Sequence, residues 1–175
     1  MIDREHIVVA VVAAAGEQLV SRIRLQKTVY LLDRVGLRSG FSYEYHHFGP
    51  YSRDLDNATT EAQAFDLLEE TFDRRLSDGA RYSVFKAKTS PQATAYGDLG
   101  PEKSQELVRE FAATNVTVLE LAATIDWLWR VEGYTSDWNV EIEKRKGRKV
   151  GGGRLGKAID LLKALKLEPP TPAAA

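Results

Sequence analysis

Apolar positions along this chain recur first with a helical period and then with an extended one. From Arg24 to Leu32, the residues Leu25, Val29 and Leu32 stand at i, i+4 and i+7 and form one buried stripe, while Arg24, Gln26, Lys27 and Arg34 lie mostly off it. The pattern predicts a helix over about Ser21 to Val35, ended by Gly36. An aromatic strand follows from Phe41 to Phe48, with Phe41, Tyr43, Tyr45 and His47 on one face and Ser42, Glu44, His46 and Phe48 on the other. The turn Gly49-Pro50-Tyr51-Ser52 closes it, and Ser52 is placed to cap a third helix that carries Leu55, Ala58, Ala62, Phe65 and Leu68 inward. Upstream, Asp3 is placed to cap a first helix that stops at Gly16. Downstream, Thr71 to Leu76, the turn Ser77-Asp78-Gly79 and Ala80 to Lys88 read as a β-hairpin. Helix, helix, strand, helix and hairpin in that order predict a winged-helix-like unit over residues 1–90.

The remainder reads as helical. Residues 89–100 contain two glycines and a proline and are expected to be a connection. Gly100-Pro101-Glu102 marks a new helix start, with Leu107, Val108 and Phe111 as its apolar face. The segment from about Thr117 to Val131 is apolar on more than one face and is expected to be the central packing helix of the C-terminal part. Ser136 is placed to cap a charged helix that ends near Lys146. A basic, glycine-rich link leads to a last helix with Leu155, Ala158, Ile159, Leu162 and Leu165 as its stripe. The expected architecture is mainly α with a small β component: the winged-helix-like N-terminal unit, C-terminal helices over 101–167 packed with it in one compact domain, and a frayed tail at 168–175.

Composition adds boundaries to this picture. The 175 residues are 43% hydrophobic, enough for a core, and the net charge of −1 gives no global pull toward nucleic acid or an anionic membrane. Cysteine is absent, which removes disulfides and thiolate chemistry and agrees with a reducing, cytoplasmic setting. The longest apolar run, Ile7 to Ala15, is about half of the roughly 20 residues a membrane span requires, so no membrane partner is expected.

Candidate chemistry is sparse. Gly151-Gly152-Gly153-Arg154-Leu155-Gly156-Lys157-Ala158 fits the spacing of a dinucleotide loop and nearly that of a phosphate loop. Both fail on context: a charged helix precedes the segment instead of a strand, and Ala158 stands where a magnesium-holding hydroxyl belongs. His46 and His47 point to opposite faces of a strand, so no metal site is expected; one would lie in the core and one at the surface. No Gly-x-Ser-x-Gly elbow occurs, Ser52 is explained as a helix cap, and the carboxylates Glu69, Glu70, Glu141 and Glu143 lie in no clearly apolar setting. The chain therefore offers no catalytic constellation, no cofactor and no enzyme assignment. Two clusters remain. Lys144, Arg145, Lys146, Arg148 and Lys149 form a local basic run, either a solvated helix end that complements the macrodipole or a contact for nucleic acid. Tyr43, Tyr45 and Tyr51, with Trp127, are candidate partner-binding aromatics. Trp127 and Trp129 face about 200° apart on a helix, so one is expected in the core and the other near a groove or partner.

The stretch Arg24-Leu25-Gln26-Lys27-Thr28-Val29-Tyr30-Leu31-Leu32, followed by Tyr45, Phe48-Gly49-Pro50-Tyr51-Ser52 and Leu55, resembles the YwgA-like protein family and, more distantly, the Panacea (SocA-like) antitoxin domain. The similarity to the first group extends to Leu121-Ala122-Ala123-Thr124-Ile125 and Glu132-Gly133-Tyr134. The resemblance implies a small cytoplasmic protein without enzymatic chemistry that acts through protein contacts, as an antitoxin-like neutraliser or adaptor in a bacterial toxin or defence operon. A protein partner is expected on this reading, a homodimer included. The alternative is a winged-helix DNA-binding regulator whose third helix enters the major groove. That helix carries Asp54, Asp56, Glu61 and Asp66 against Arg53 alone, which disfavours phosphate.

Overall fold

The computed structural model describes residues 2–174. It is mainly α-helical with a small β component, 56% helix against 13% strand, as the periodicity predicts. The elements are α1 (Arg4–Ala14), β1 (Leu19–Val20), α2 (Arg22–Val35), β2 (Glu44–His46), β3 (Gly49–Tyr51), α3 (Arg53–Ala64), β4 (Leu68–Arg74), β5 (Arg81–Ala87), α4 (Gly100–Ala113), α5 (Val116–Arg130), α6 (Trp138–Lys146) and α7 (Arg154–Ala164). Two compact units result. One runs through Glu44 and resumes over Tyr51–Ala113; the other combines Tyr45–Pro50 with the chain from Thr114 onward. This division differs from a break near residue 90, because α4 packs on α1 within the first unit.

In the first unit α1 is buried on nearly every side, from Ile7 through Val12, and packs against α3, α4 and β5. Asp3 does not cap it through its side chain; the Asp3 carbonyl instead accepts from the His6 N–H at 3.1 Å. Ser21 and Ser52 do cap α2 and α3, accepting from the amides of Arg24 at 3.3 Å and Leu55 at 3.2 Å. Leu25, Val29 and Leu32 form the buried stripe of α2 as expected, but Gln26 and Lys27 are buried beside them at 5% and 2% exposure. On α3, Leu55, Ala58 and Ala62 turn inward. Phe65 does not: it sits at the C-cap, past the last helical turn, and is 63% exposed. Leu68 is buried, but as the first residue of β4.

β4 and β5 form the expected antiparallel hairpin, in register from Leu68 opposite Ala87 to Arg74 opposite Arg81. The two-residue β1, too short to carry a readable alternation, adds to β5 through Leu19 opposite Phe85 and Val20 opposite Val84. The sheet order is therefore β1-β5-β4, and β4 is an edge. The segment expected to be a plain connection contains a 3-10 stretch, Ala93–Leu99, with Ala95 and Tyr96 buried. Gly97 there has φ +59°, and a Cβ on it would lie 1.9 Å from the Leu37 carbonyl oxygen, so only glycine fits.

The aromatic strand is shorter than its sequence suggests. β2 covers only Glu44–His46, the chain turns at His47-Phe48, and Gly49–Tyr51 is the returning strand β3 rather than a turn. Both His46 and His47 are exposed, so neither is a core histidine.

The second unit is organised around α5, buried from Val118 to Leu128 and packed against α6 and α7. Asn115 caps α5, accepting from the Thr117 N–H at 2.8 Å. The cap of α6 is Asp137 instead of Ser136, and no side-chain bond is made there. The tail is tied down instead of frayed: Trp138 Nε1 donates to the Pro170 carbonyl at 2.8 Å, the Ala173 N–H to the Ser136 carbonyl at 2.8 Å, and Leu167 is buried.

Candidate functional site

The polar pair in the Leu25-Gln26-Lys27 run has a structural task. The Gln26 side chain reads both backbone groups of Ser52: Oε1 accepts from the Ser52 N–H at 2.8 Å and Nε2 donates to the Ser52 carbonyl at 2.9 Å. Nε2 also reaches Asp56 at 3.1 Å. An amide does here what a neighbouring strand would do, satisfying an extended residue buried away from water. This links the Gln of one motif to the serine that follows Gly49-Pro50-Tyr51 in the other. Asp56 further accepts from the Tyr51 hydroxyl at 2.6 Å, and this bond is the main reason the Tyr51 pKa is raised.

The candidate aromatics are held from inside. Tyr43 donates its hydroxyl to Asp33 at 2.5 Å and meets the Tyr30 ring edge-on, 5.0 Å between centroids. Burial, with the Asp33 charge beside it, pushes the Tyr43 phenol well above its ordinary pKa. In the second unit Tyr45 lies 6.4 Å from the Trp127 ring and carries the Arg145 guanidinium 4.7 Å from its centroid. Trp127 is buried, not presented. Trp129 is half-buried under the Arg130 guanidinium, 4.2 Å from the ring. Tyr43, Tyr45, Tyr51 and Trp127 thus each spend their polar or apolar surface on the fold.

The basic run is a solvated face only in part: Lys146 is buried, Arg145 and Lys149 are half-buried and bonded within the chain, and Lys144 and Arg148 are exposed. Lys146 is 7% exposed and donates to Glu120 of α5 at 2.8 Å and to the His47 carbonyl at 3.1 Å. Lys149 reaches both Glu120 oxygens, at 2.8 and 3.0 Å, and its ammonium lies 4.9 Å from the Phe48 ring. Glu120 is buried at 3% exposure, with these two ammonium groups against its carboxylate oxygens. Burial lowers the Lys146 pKa, and the bond and charge of Glu120 offset part of that. Arg145 forms a bidentate pair with Glu132, at 2.7 and 2.9 Å, and a further bond to Glu141 at 2.7 Å. The bond from Arg145 holds the Glu132 carboxyl below the usual glutamate range. Lys144 and Arg148 are the exposed members of the run.

Together these groups fasten the tip of the β2–β3 hairpin. Lys146 grips the His47 carbonyl from α6, and Gly49 lies against α5 with φ +90°. A Cβ at Gly49 would fall 2.5 Å from Thr124 Oγ1, which is itself fixed by donating to the Glu120 carbonyl at 2.7 Å. Glycine at this position is a packing requirement, invisible in the sequence beyond the Gly-Pro pair itself.

Large apolar groups are exposed in both units: Phe48, Val131 and Val140 in the second, and three in the first. Phe65 at the end of α3, Phe72 on β4 at 51% exposure and Leu76 at the hairpin tip at 106% stand open in the first unit. The hairpin cations are largely self-bonded: Arg74 donates to the Gly79 carbonyl at 3.0 Å, Arg75 pairs with Asp78 at 3.0 Å, Lys88 pairs with Asp66, and Arg81 lies over the Phe72 ring at 3.6 Å. On α3, Asp54 pairs with Arg4 at 3.2 Å and accepts from the Ser42 N–H at 2.9 Å. Among the described residues, one group of potential metal ligands lies close together, Asp3, Glu5 and His6, with ligand atoms within 4.8 Å of one another at the start of α1. No helix among the described residues is long and apolar enough to cross a membrane. A scan against protein-family models finds no match, and a search of curated proteins finds none.

Proposed function

We propose that this protein is a non-enzymatic protein-interaction module of the cytoplasm, an adaptor or antitoxin-like neutraliser. The observation that carries the reading is the exposed apolar set Phe65, Phe72 and Leu76 at the end of α3 and along the β4–β5 hairpin, where solvent exposure of large apolar groups fits a protein contact. The resemblance to the YwgA-like and Panacea families supports the same reading, and the Gln26–Ser52 bonds give the paired motifs a shared physical basis. A winged-helix regulator is the second reading, favoured by the sheet order β1-β5-β4 with α2 and α3 preceding the hairpin. It ranks lower because the hairpin cations serve acceptors of their own chain and α3 presents little positive charge.

Co-expression with the products of the genes that flank its own, followed by affinity purification, tests the first reading. Capture of a flanking product is expected with wild type and reduced with Phe65→Ser, at an unchanged melting midpoint. Saturable binding of a labelled DNA duplex at low salt, with a steep salt dependence and no captured protein, would install the second reading instead.

A further inference from the structure

The edge strand of the hairpin is complementary to itself. Hydrogen-bonded positions alternate along an antiparallel ladder. The Leu67 carbonyl accepts from the Lys88 N–H at 2.9 Å, and the Arg75 N–H donates to the Ala80 carbonyl at 2.9 Å. The odd-numbered residues between them therefore turn their backbone groups toward β5, while Leu68, Glu70, Phe72 and Arg74 turn theirs away from it, along the edge. Such an edge is a template for another strand. The side chains along it are exposed at Glu69, Thr71, Phe72, Asp73, Arg74, Arg75 and Leu76.

The sequence names the strand that fits. In Leu68-Glu69-Glu70-Thr71-Phe72-Asp73-Arg74-Arg75-Leu76, Glu69 and Glu70 on one side of Phe72 mirror Arg75 and Arg74 on the other; Thr71 opposite Asp73 is the one position without a charge match. Laid antiparallel on a second copy with Phe72 opposite Phe72, Glu69 faces Arg75, Glu70 faces Arg74 and Thr71 faces Asp73, while Leu76 lies beyond the paired strand in the hairpin turn. The outward-turned residues then form the hydrogen-bonded pairs, as the edge requires. Glu69 and Arg75 fall on closely spaced non-hydrogen-bonded pairs, where opposite charges interact best. The neighbouring registers that keep this phase fail on charge, one setting Glu69 against Asp73 and the other Asp73 against itself. The charge match rests chiefly on Glu69 with Arg75, because Glu70 is already engaged by Arg22, Gln63 and Ser83; Arg75 exchanges its exposed pair with Asp78 for one to Glu69 of the second copy. The Arg74 N–H, which now donates to Asp73 Oδ1 at 2.8 Å, exchanges that bond for one to the second copy.

We infer that the protein self-associates by antiparallel pairing of β4 with β4 of a second copy, with Phe72 on the two-fold axis. This assigns one partner to the exposed hairpin; it shares Phe72 and Leu76 with the adaptor reading, and the two are told apart because capture of a flanking product and self-association are measured separately. A single strand pair is a small interface, so the dimer is a weak one that forms as concentration rises.

Sedimentation velocity over concentrations from about 1 μM to about 1 mM tests it. Wild type is expected to shift from monomer to dimer. Glu69→Arg alone and Arg75→Glu alone each set like charges together twice per dimer and are expected to remain monomeric. Their equimolar mixture sets every altered charge against its opposite and is expected to restore the dimer, which also shows both variants folded. Phe72→Lys, with two like charges at the axis, gives an independent monomer. A wild type that stays monomeric throughout, single-charge variants that dimerise as wild type does, or a mixture of folded variants that sediments no faster than its components would overturn the assignment.

Discussion

The molecule has two hairpins, and they invert the expectation that aromatic density marks a binding surface. The β2–β3 hairpin is crowded with aromatics and histidines, yet Tyr45, Tyr51, Phe48 and the His47 carbonyl all have partners within the chain. The β4–β5 hairpin is thinly furnished with apolar groups, and those it has near its tip, Phe72 and Leu76, stand in solvent. Many aromatics in a short segment means many chances to find neighbours; Phe72 has the Arg81 guanidinium over its ring and still keeps half of its surface in solvent. What distinguishes an interface residue is the contact it lacks, and that quantity is set by tertiary structure.

The most severe way to break this contrast is to unfasten the first hairpin. Glu120→Ala removes the counter-charge from the buried Lys146, and leaving a buried charge uncompensated costs about 3–5 kcal/mol. Since folded domains are stable by about 5–15 kcal/mol, a large fall in the thermal midpoint is expected; an unchanged midpoint would mean that Lys146 reaches water. Gln26→Ala strips both hydrogen bonds from Ser52 and is expected to cost about 2 kcal/mol, read as a drop in denaturant midpoint at constant slope. Recovery by Gln26→Asn would contradict the geometry, because the shorter amide cannot span to Ser52.

Acid sharpens the comparison at smaller amplitude. Glu132 has a carboxyl pKa held down by Arg145, so its stabilisation is complete above the ordinary glutamate value of about 4.3 and is lost as pH falls through the lower folded value. Burial raises the Glu70 carboxyl, but hydrogen bonds from Arg22, Ser83 and Gln63 and the Arg22 charge outweigh it, so the net shift is also downward and the same sign applies. Trp127, Trp129 and Trp138 are the chain's three tryptophans and all belong to the second unit, so their fluorescence reports on that unit. In Glu132→Gln the fluorescence-detected midpoint is expected to fall less between neutral pH and pH about 3 than in wild type. An identical fall would detach Glu132 from acid stability. The smallest effects belong to exposed groups. Leu76→Ser, and Lys144→Ser with Arg148→Ser, are each expected to shift stability by less than about 0.5 kcal/mol, in contrast to any change at Lys146.

How much of this was legible in the sequence depends on which force fixed each feature. Periodicity locates α2 and α3 because their buried residues recur every turn, and Ser52 announces the α3 cap by residue type; the Ser21 cap of α2 shows only in the structure. The Ser77-Asp78-Gly79 turn makes the hairpin readable from Thr71 to Lys88, whereas its first residues, Leu68 to Glu70, continue the α3 period in the sequence and hide there. Two-residue β1 is not readable, since no alternation fits in two positions. Extending the α3 period one step past the end of the helix puts Phe65 in the core, whereas it stands at the C-cap and is exposed. Gln26 and Lys146 were placed outside because polar side chains usually are; their burial depends on partners 26 and 99 residues away, and a local window holds neither. The turn at His47-Phe48 was missed because Gly49-Pro50 looks like a turn, whereas its glycine is needed for close approach to Thr124. The self-complementary charges from Leu68 to Leu76 were present in the sequence throughout, and became meaningful once β4 was found at the edge of its sheet.

The segment Tyr45–Pro50 belongs with chain that begins again only at Thr114, and this sets an order of events during synthesis. The Lys146 that grips the His47 carbonyl is 99 residues downstream. At about 5–20 residues per second, the hairpin tip leaves the ribosome roughly 5–20 s before its fastening exists. Through that interval Tyr45 lacks Trp127 and Arg145, and Phe48 lacks Lys149, so the hairpin tip cannot take its final packing until the last third of the chain is made.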